Sequence, residues 1–343
     1  MSIISSSVNL VFVIGAPRSG TTMLERMLSS HSQIQGGPEP HLLTPLAHLG
    51  VWDKVDKAPY DHVLAAQAQK GFVSQLPKGE QDYWDACRAY CDVLYGRYTH
   101  AKGDKPYCLD KTPAYALVLP FMTKVYPDSS YIVLTRHPLA IFSSYANSFF
   151  NGDYEVAHDF NPIIERYVPA LAAFLRSNND KAFHVCYEQL VREPEPWFER
   201  ICAHIGVPYE ADAINYGETK DPKKATGLGD PIGVSQHKRP TTASVKKWVA
   251  ELATDPGKLA LAKKMIAAVN PDDLATIGYP VDTLWKVLEE AGDNITAPKA
   301  PKATRYRLER GMIIRLRRLS QRNNLFRSIL KKSQLICDIL LRE

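Results

Sequence analysis

The chain lacks several things that would have placed it quickly. Its six cysteines form no CxxC pair and no zinc-ligand spacing, and Cys87 and Cys91 lie one helical turn apart. A disulfide scaffold and a structural zinc site are therefore not expected, and free thiols in a reducing compartment are. No apolar run approaches the roughly 18 residues that a membrane-spanning helix requires. The first residues, Met1 to Ser5, lack the basic flank of a secretory leader, so the expectation is a cytoplasmic protein. No internal repeat is visible, which removes the solenoid architectures.

What is present is a chain of 343 residues with 45% hydrophobic and 23% charged content, ordinary for a globular α/β core with elaborations. The formal net charge of +5 is unevenly spread, because thirteen lysines and arginines but only three acids lie from Lys299 onward. The body is left net negative, so no nucleic-acid partner is expected of it. The segment Ala297-Pro298-Lys299-Ala300-Pro301-Lys302 reads as a linker. It divides a domain over 1–297 from a basic helical tail over 298–343. The apolar residues of that tail, among them Leu308, Met312, Leu316, Leu319, Ile329 and Leu330, alternate with arginines. That pattern suits an anionic membrane face such as the inner leaflet, a partner, a second subunit or the protein's own body.

The body reads as strand, polar turn, helix, repeated: apolar runs end at Gly15, near Gly36, at Asp110, at Thr135 and at Tyr187, each followed by helical periodicity. This alternation predicts a parallel sheet with helices on both faces. A mostly helical stretch, about 44–101, interrupts it as an insertion on the substrate side. A long basic loop from Gly217 to Thr242 lacks periodicity and is of functional length.

The first unit carries the chemistry. Val8 to Ile14 is a buried strand, and Gly15-Ala16-Pro17-Arg18-Ser19-Gly20-Thr21-Thr22 is a tight loop opening a helix. The first amides of a helix have no carbonyl partner, and a glycine-containing loop can direct them at one phosphate while Arg18, Ser19, Thr21 and Thr22 add a cation and hydroxyls. The Gly15-to-Gly20 spacing is that of the nucleoside-triphosphate P-loop, but Thr21 stands where that motif needs lysine. The pattern says phosphate without saying triphosphate and magnesium. A plain connector remains the structural alternative. Farther on, Arg136 leaves a strand end and Ser144 follows eight residues later on the next helix, a pattern that a surface arginine and serine would also give. Glu39, with His41 as second choice, is the first candidate for a base.

Taken together, these segments resemble the sulfotransferases that use 3′-phosphoadenosine 5′-phosphosulfate, with motif spacing similar to the tyrosylprotein branch. The resemblance covers roughly Leu10 to Trp248 and implies a P-loop-NTPase-like sulfotransferase fold. It implies that Pro17, Arg18, Ser19, Gly20, Thr21 and Thr22 hold the 5′-phosphosulfate, and that Arg136 and Ser144 clamp the 3′-phosphate. Tyr187 would lie beside the adenine, Ser235, Lys238 and Arg239 would bind the nucleotide from the basic loop, and Lys247 would close over it. Glu39 would be the general base, with Arg18 and Lys111 as stabilisers of the sulfuryl charge. The product would be 3′-phosphoadenosine 5′-phosphate, no metal would be needed, and the acceptor would be a hydroxyl on a glycan, lipid, small metabolite or tyrosine. The bland alternatives are a turn acid at Glu39, a solvated Lys111 and a core aromatic at Tyr187. At the level of the whole chain, a P-loop small-molecule kinase and a non-catalytic nucleotide-binding scaffold are the competing readings.

Overall fold

The computed structural model describes residues 9–37, 39–47, 62–177, 181–217, 237–291 and 305–340. Five parallel strands, β1 (Asn9–Ile14), β2 (Ile34–Gln35), β3 (Tyr107–Asp110), β4 (Ser130–Thr135) and β5 (Ala182–Cys186), form one sheet in the order β2-β3-β1-β4-β5. Strand β1 is central, with Phe12 opposite Asp110 on one side and Tyr131 on the other. The chain steps outward from β1 in both directions, so the crevice at its carboxyl end is the switch point at which open α/β sheets bind ligands.

The buried strands explain their own apolar sequence. Leu10, Phe12 and Ile14 of β1 and Tyr131 and Val133 of β4 join the core on one face, whereas Val11, Val13, Ile132 and Leu134 join that on the other. A strand covered on both faces has no polar side to show, hence the near-continuous hydrophobic run. On the second face lie α1 (Thr21–Ser30), α9 (Tyr187–Arg192) and α10 (Pro194–Ile205), the last ended by left-handed Gly206 at φ 87°.

The first face is covered by a larger set. The insertion supplies α2 (Leu43–Ala47) and α4 (Glu80–Ala101) to it, with α3 (His62–Val73) between them in the chain, and α5 (Leu119–Val125) follows a 3₁₀ turn at Pro113–Leu117. Next come α6 (Pro138–Phe149), α7 (Tyr154–Phe160) and α8 (Ile163–Ser177), whose apolar stripe from Ile163 to Leu175 lies on the sheet. Beyond 237 the body closes with α11 (Lys247–Thr254), α12 (Pro256–Ala267), α13 (Pro271–Thr276), α14 (Val281–Leu284) and α15 (Lys286–Glu289).

The tail forms α16 (Arg305–Arg322) and α17 (Asn324–Leu340). Of the tail readings, contact with its own body is realised for α16: Ile314 is buried in the first-face core, and Arg318 pairs with Asp153. No described helix is long and apolar enough to cross a membrane. Cys87, Cys91, Cys108 and Cys202 are buried free thiols, as their apolar settings suggested, whereas Cys186 is only half-buried.

One element differs from the sequence reading. Strand β5 stops at Cys186, and Tyr187 opens α9 instead of ending the strand. The short strand expected before Glu39 is two residues long. Its continuation must pass over α1 so closely that a β-carbon on Gly36 would lie 1.7 Å from the Ser29 hydroxyl, and Tyr98 donates to the Gly36 carbonyl at 3.0 Å instead of a strand neighbour doing so.

Candidate active site

All five strands deliver a candidate residue at their carboxyl ends: the Gly15–Thr22 loop after β1, Glu39 beyond β2, Lys111 after β3, Arg136 after β4 and Tyr187 after β5. Parallel pairing alone brings residues so distant in sequence to one edge.

The loop turns through two left-handed residues, Arg18 at φ 71° and Gly20 at φ 101°. At Gly20 the conformation is not the only constraint, because a β-carbon there would lie 2.5 Å from the Tyr187 ring. Gly20 precedes the first turn of α1, and no side chain caps that turn. Thr21 and Ser19 are buried, and the Ser19 Oγ has no hydrogen-bond partner. Uncapped amides and a buried hydroxyl left over around one loop are what an anion would satisfy.

Arg136 is buried and serves the loop. One of its amino groups donates to the Arg18 carbonyl at 3.0 Å and the other to the Ser244 carbonyl at 2.9 Å, while its Nε has no partner. Its guanidinium lies 4.4 Å from the centre of the Tyr187 ring, and the Tyr187 hydroxyl is 2.7 Å from the Ser244 Oγ. Tyr187 is thus held between Gly20 and Arg136. Arg18 in turn donates from Nε to the Ser144 Oγ at 3.2 Å. The loop and the Arg136–Ser144 pair, read separately from the sequence, form one connected cluster.

A second cluster adjoins it. Lys111, buried, donates to Glu39 in a short ion pair and reaches the Thr22 Oγ1 at 3.4 Å, which links the candidate base to the loop. His41 Nε2 lies 3.7 Å from the other Glu39 oxygen. Beneath, Asp110 accepts hydrogen bonds from Tyr95 at 2.5 Å, Thr112 at 2.9 Å and Tyr115 at 3.0 Å. Burial raises its carboxyl to about 6, and these hydroxyls pull it back only in part. Burial likewise raises Glu25 on α1, with the Lys111 charge opposing the shift. Arg18, Lys111 and Arg136 therefore meet at one edge, suited to a ligand of high negative charge. No group of side chains able to hold a metal occurs among the described residues.

The late basic residues are placed differently. Lys238 and Arg239 are exposed; the Lys238 carbonyl accepts from Gly217, and Arg239 pairs with Glu195 at 2.8 Å. Lys247 is exposed at the start of α11, and Ser235 lies outside the described residues. Sequence reasoning missed Ser244, which meets Arg136 through its backbone carbonyl and Tyr187 through its hydroxyl and stands in no motif that would single it out. It also missed Glu188, which accepts from the His137 amide at 3.2 Å and from the Tyr279 hydroxyl, fixing the start of α6 behind Arg136. An acid directly after the aromatic at a strand end was the available signal.

Comparison with known proteins agrees with this geometry. The model described as "Sulfotransferase family" matches residues 11–211, more than half of the chain, from within β1 to beyond β5. The chain belongs to the sulfotransferase family. This sulfotransferase is 26% identical over 293 residues to nodulation protein NoeE of Sinorhizobium fredii, a match covering 79% of the chain and 66% of that protein, just under two thirds of its length. It is 24% identical over 282 residues to protein-tyrosine sulfotransferase 1 of Danio rerio, covering 79% and 72% of the two chains. Among solved structures, the sulfotransferase domain of the Synechococcus olefin synthase aligns at 24% identity and a TM-score of 0.48, over 78% of this chain and 98% of that one.

Proposed function

We propose that the chain moves a sulfuryl group from 3′-phosphoadenosine 5′-phosphosulfate to a hydroxyl acceptor, with Glu39 as general base. The observation that carries the reading is the junction of the Gly15–Thr22 loop with Arg136 and Ser144 through Arg18. A donor with phosphates on the 3′ and 5′ sides of one ribose needs two neighbouring anion sites, whereas a triphosphate needs one linear cradle and a metal.

The loop amides, Ser19, Thr21 and Thr22 would hold the 5′ side, and Arg136 with Ser144 the 3′ side. That donor supplies a sulfuryl group whose bond to the 5′-phosphate oxygen breaks as the acceptor oxygen bonds to sulfur. Glu39 takes the acceptor's proton, which requires hydrogen-bond reach of the hydroxyl. Lys111, already joined to both Glu39 and Thr22, stands between base and loop. There its charge can fix the carboxylate and then offset negative charge growing on the departing oxygen. Arg18 does the same from the loop side.

The acceptor class is a hydroxyl, met beyond Glu39 where the insertion packs. Incubating the protein with the donor and a cell extract, and resolving products by mass, tests the reading directly. Products heavier by one sulfuryl group, formed without added metal and at a much lower rate with Glu39→Gln, are expected. No sulfated product across broad acceptor panels, despite tight nucleotide binding, would favour a non-catalytic role.

A further inference from the structure

The active site uses nothing beyond α15, yet α16 and α17 expose a series of large apolar side chains. Leu308, Met312, Leu316 and Leu319 recur at intervals of four, four and three residues, so at 3.6 residues per turn they share one side of α16. All four are exposed, Leu308 to 69% and Leu319 to 54%. Ile314, on the other side, is the residue buried in the body, and Arg318 pairs there with Asp153. The helix is therefore docked by one side with its apolar stripe turned away. Helix α17 follows α16 after Asn323 and exposes Leu325, Ile329 and Leu330 in turn.

Charge says what covers the stripe. Thirteen basic residues against three acids lie from Lys299 onward, while the remainder of the chain is net negative. Exposed Arg315, Arg327 and Lys332 lie on the same two helices as the apolar residues. Two such tails brought face to face would set like charges against each other. An anionic bilayer answers both halves at once, since its acyl boundary takes the stripe and its headgroups take the cations. We infer that α16 and α17 form a membrane-surface anchor for anionic lipid, which holds the sulfotransferase body against a bilayer without spanning it.

The full chain would be sedimented with vesicles of equal parts phosphatidylglycerol and phosphatidylcholine, and with vesicles of phosphatidylcholine alone. Binding to the first and not the second is expected, weakening as sodium chloride is raised because exposed charges are screened. The double variant Leu316→Glu with Leu319→Glu, at exposed positions, should lower partition at least about tenfold with an unchanged melting temperature, and Arg315→Glu with Lys332→Glu should lower it at low salt. Equal binding to both vesicles, or binding indifferent to both variants, overturns the inference. So does a dimer in light scattering that the leucine variants dissolve while no vesicle is bound, which would give the stripe to a second copy. Donor binding and transfer to soluble acceptors are read separately, so failure here leaves the proposed chemistry standing.

Discussion

Arg136 donates a hydrogen bond at 3.0 Å to the backbone carbonyl of Arg18, a residue held at φ 71°. A left-handed arginine costs about 1–2 kcal/mol, so the loop needs an outside partner to keep that turn. The same guanidinium that the family resemblance assigns to one phosphate thus holds the loop assigned to the other. The two anion sites are coupled before any ligand arrives.

Arg136→Ala should therefore do more than remove a charge. It leaves the half-buried carbonyls of Arg18 and Ser244 without their donor, at a cost of about 1 kcal/mol or more in stability. It should also abolish calorimetric binding of 3′-phosphoadenosine 5′-phosphate. Arg136→Lys is expected to rescue little, because one ammonium on a flexible stem cannot reproduce a planar fork serving two carbonyls. Full affinity in the lysine variant would mean that charge alone matters there.

Glu39→Gln keeps the shape of the side chain and removes its capacity as a base. Turnover should fall by about 10²–10⁴-fold, while nucleotide affinity changes little. Lys111→Met, by contrast, should weaken both, since Lys111 touches the Thr22 hydroxyl as well as Glu39. A split of this kind in single-turnover kinetics separates base from charge stabiliser; a Glu39→Gln enzyme of normal rate would move the role to His41.

The parallel sheet and the loop were legible because the sequence punctuates them: an unbroken apolar run, then Gly15, then Gly20 before helical spacing. Glu39 and Lys111 could be placed on one edge because parallel strands end together. Their ion pair could not, since it depends on how closely Gly36 lets the chain cross α1 over Ser29. Tyr187 was misassigned to a strand because an aromatic after Val185 and Cys186 fits a strand equally well. What ends β5 is a tertiary matter, the packing of that ring on Gly20. Asp110 reads in sequence only as the end of an apolar run, and only the fold brings Tyr95 from α4 to its carboxyl.

Gly20→Ala tests that packing. The new methyl group would meet the Tyr187 ring at 2.5 Å with the backbone at φ 101°, so both collision and strain arise. The strain alone is worth about 1–2 kcal/mol. Denaturant melts should show a loss larger than this, and adding Tyr187→Ala should return part of it, the part due to collision. Additive losses in the double variant would mean the ring yields freely.

Asp110 predicts a pH dependence with a definite sign. Its folded value of about 6 lies above the ordinary 3.8, so between the two the folded protein binds more protons than the unfolded chain. The stability linked to this group is full below about pH 4 and is lost as pH rises through 6, amounting to about 3 kcal/mol. Asp110→Asn, which cannot titrate, should flatten the curve by that difference in urea melts taken from pH 4 to 7. Parallel curves for the two proteins would show that Asp110 ionises normally.

Nucleotide choice tests the reading against a phosphoryl-transferring enzyme on the same fold. Thr21 stands where a triphosphate P-loop needs lysine, while Lys111 reaches the neighbouring Thr22 from β3 instead. A cation arriving from that side, beside the candidate base, suits charge at the reacting group more than a chain of phosphates. With a chelator present, 3′-phosphoadenosine 5′-phosphate at about a hundred times its dissociation constant should raise the melting temperature by about 5 °C. Adenosine 5′-phosphate, lacking the 3′ group, should do much less, and Arg136→Ala should erase the distinction between them. Equal or greater stabilisation by magnesium-ATP would instead make the cradle a triphosphate site, and Arg136 and Ser144 would then need another account.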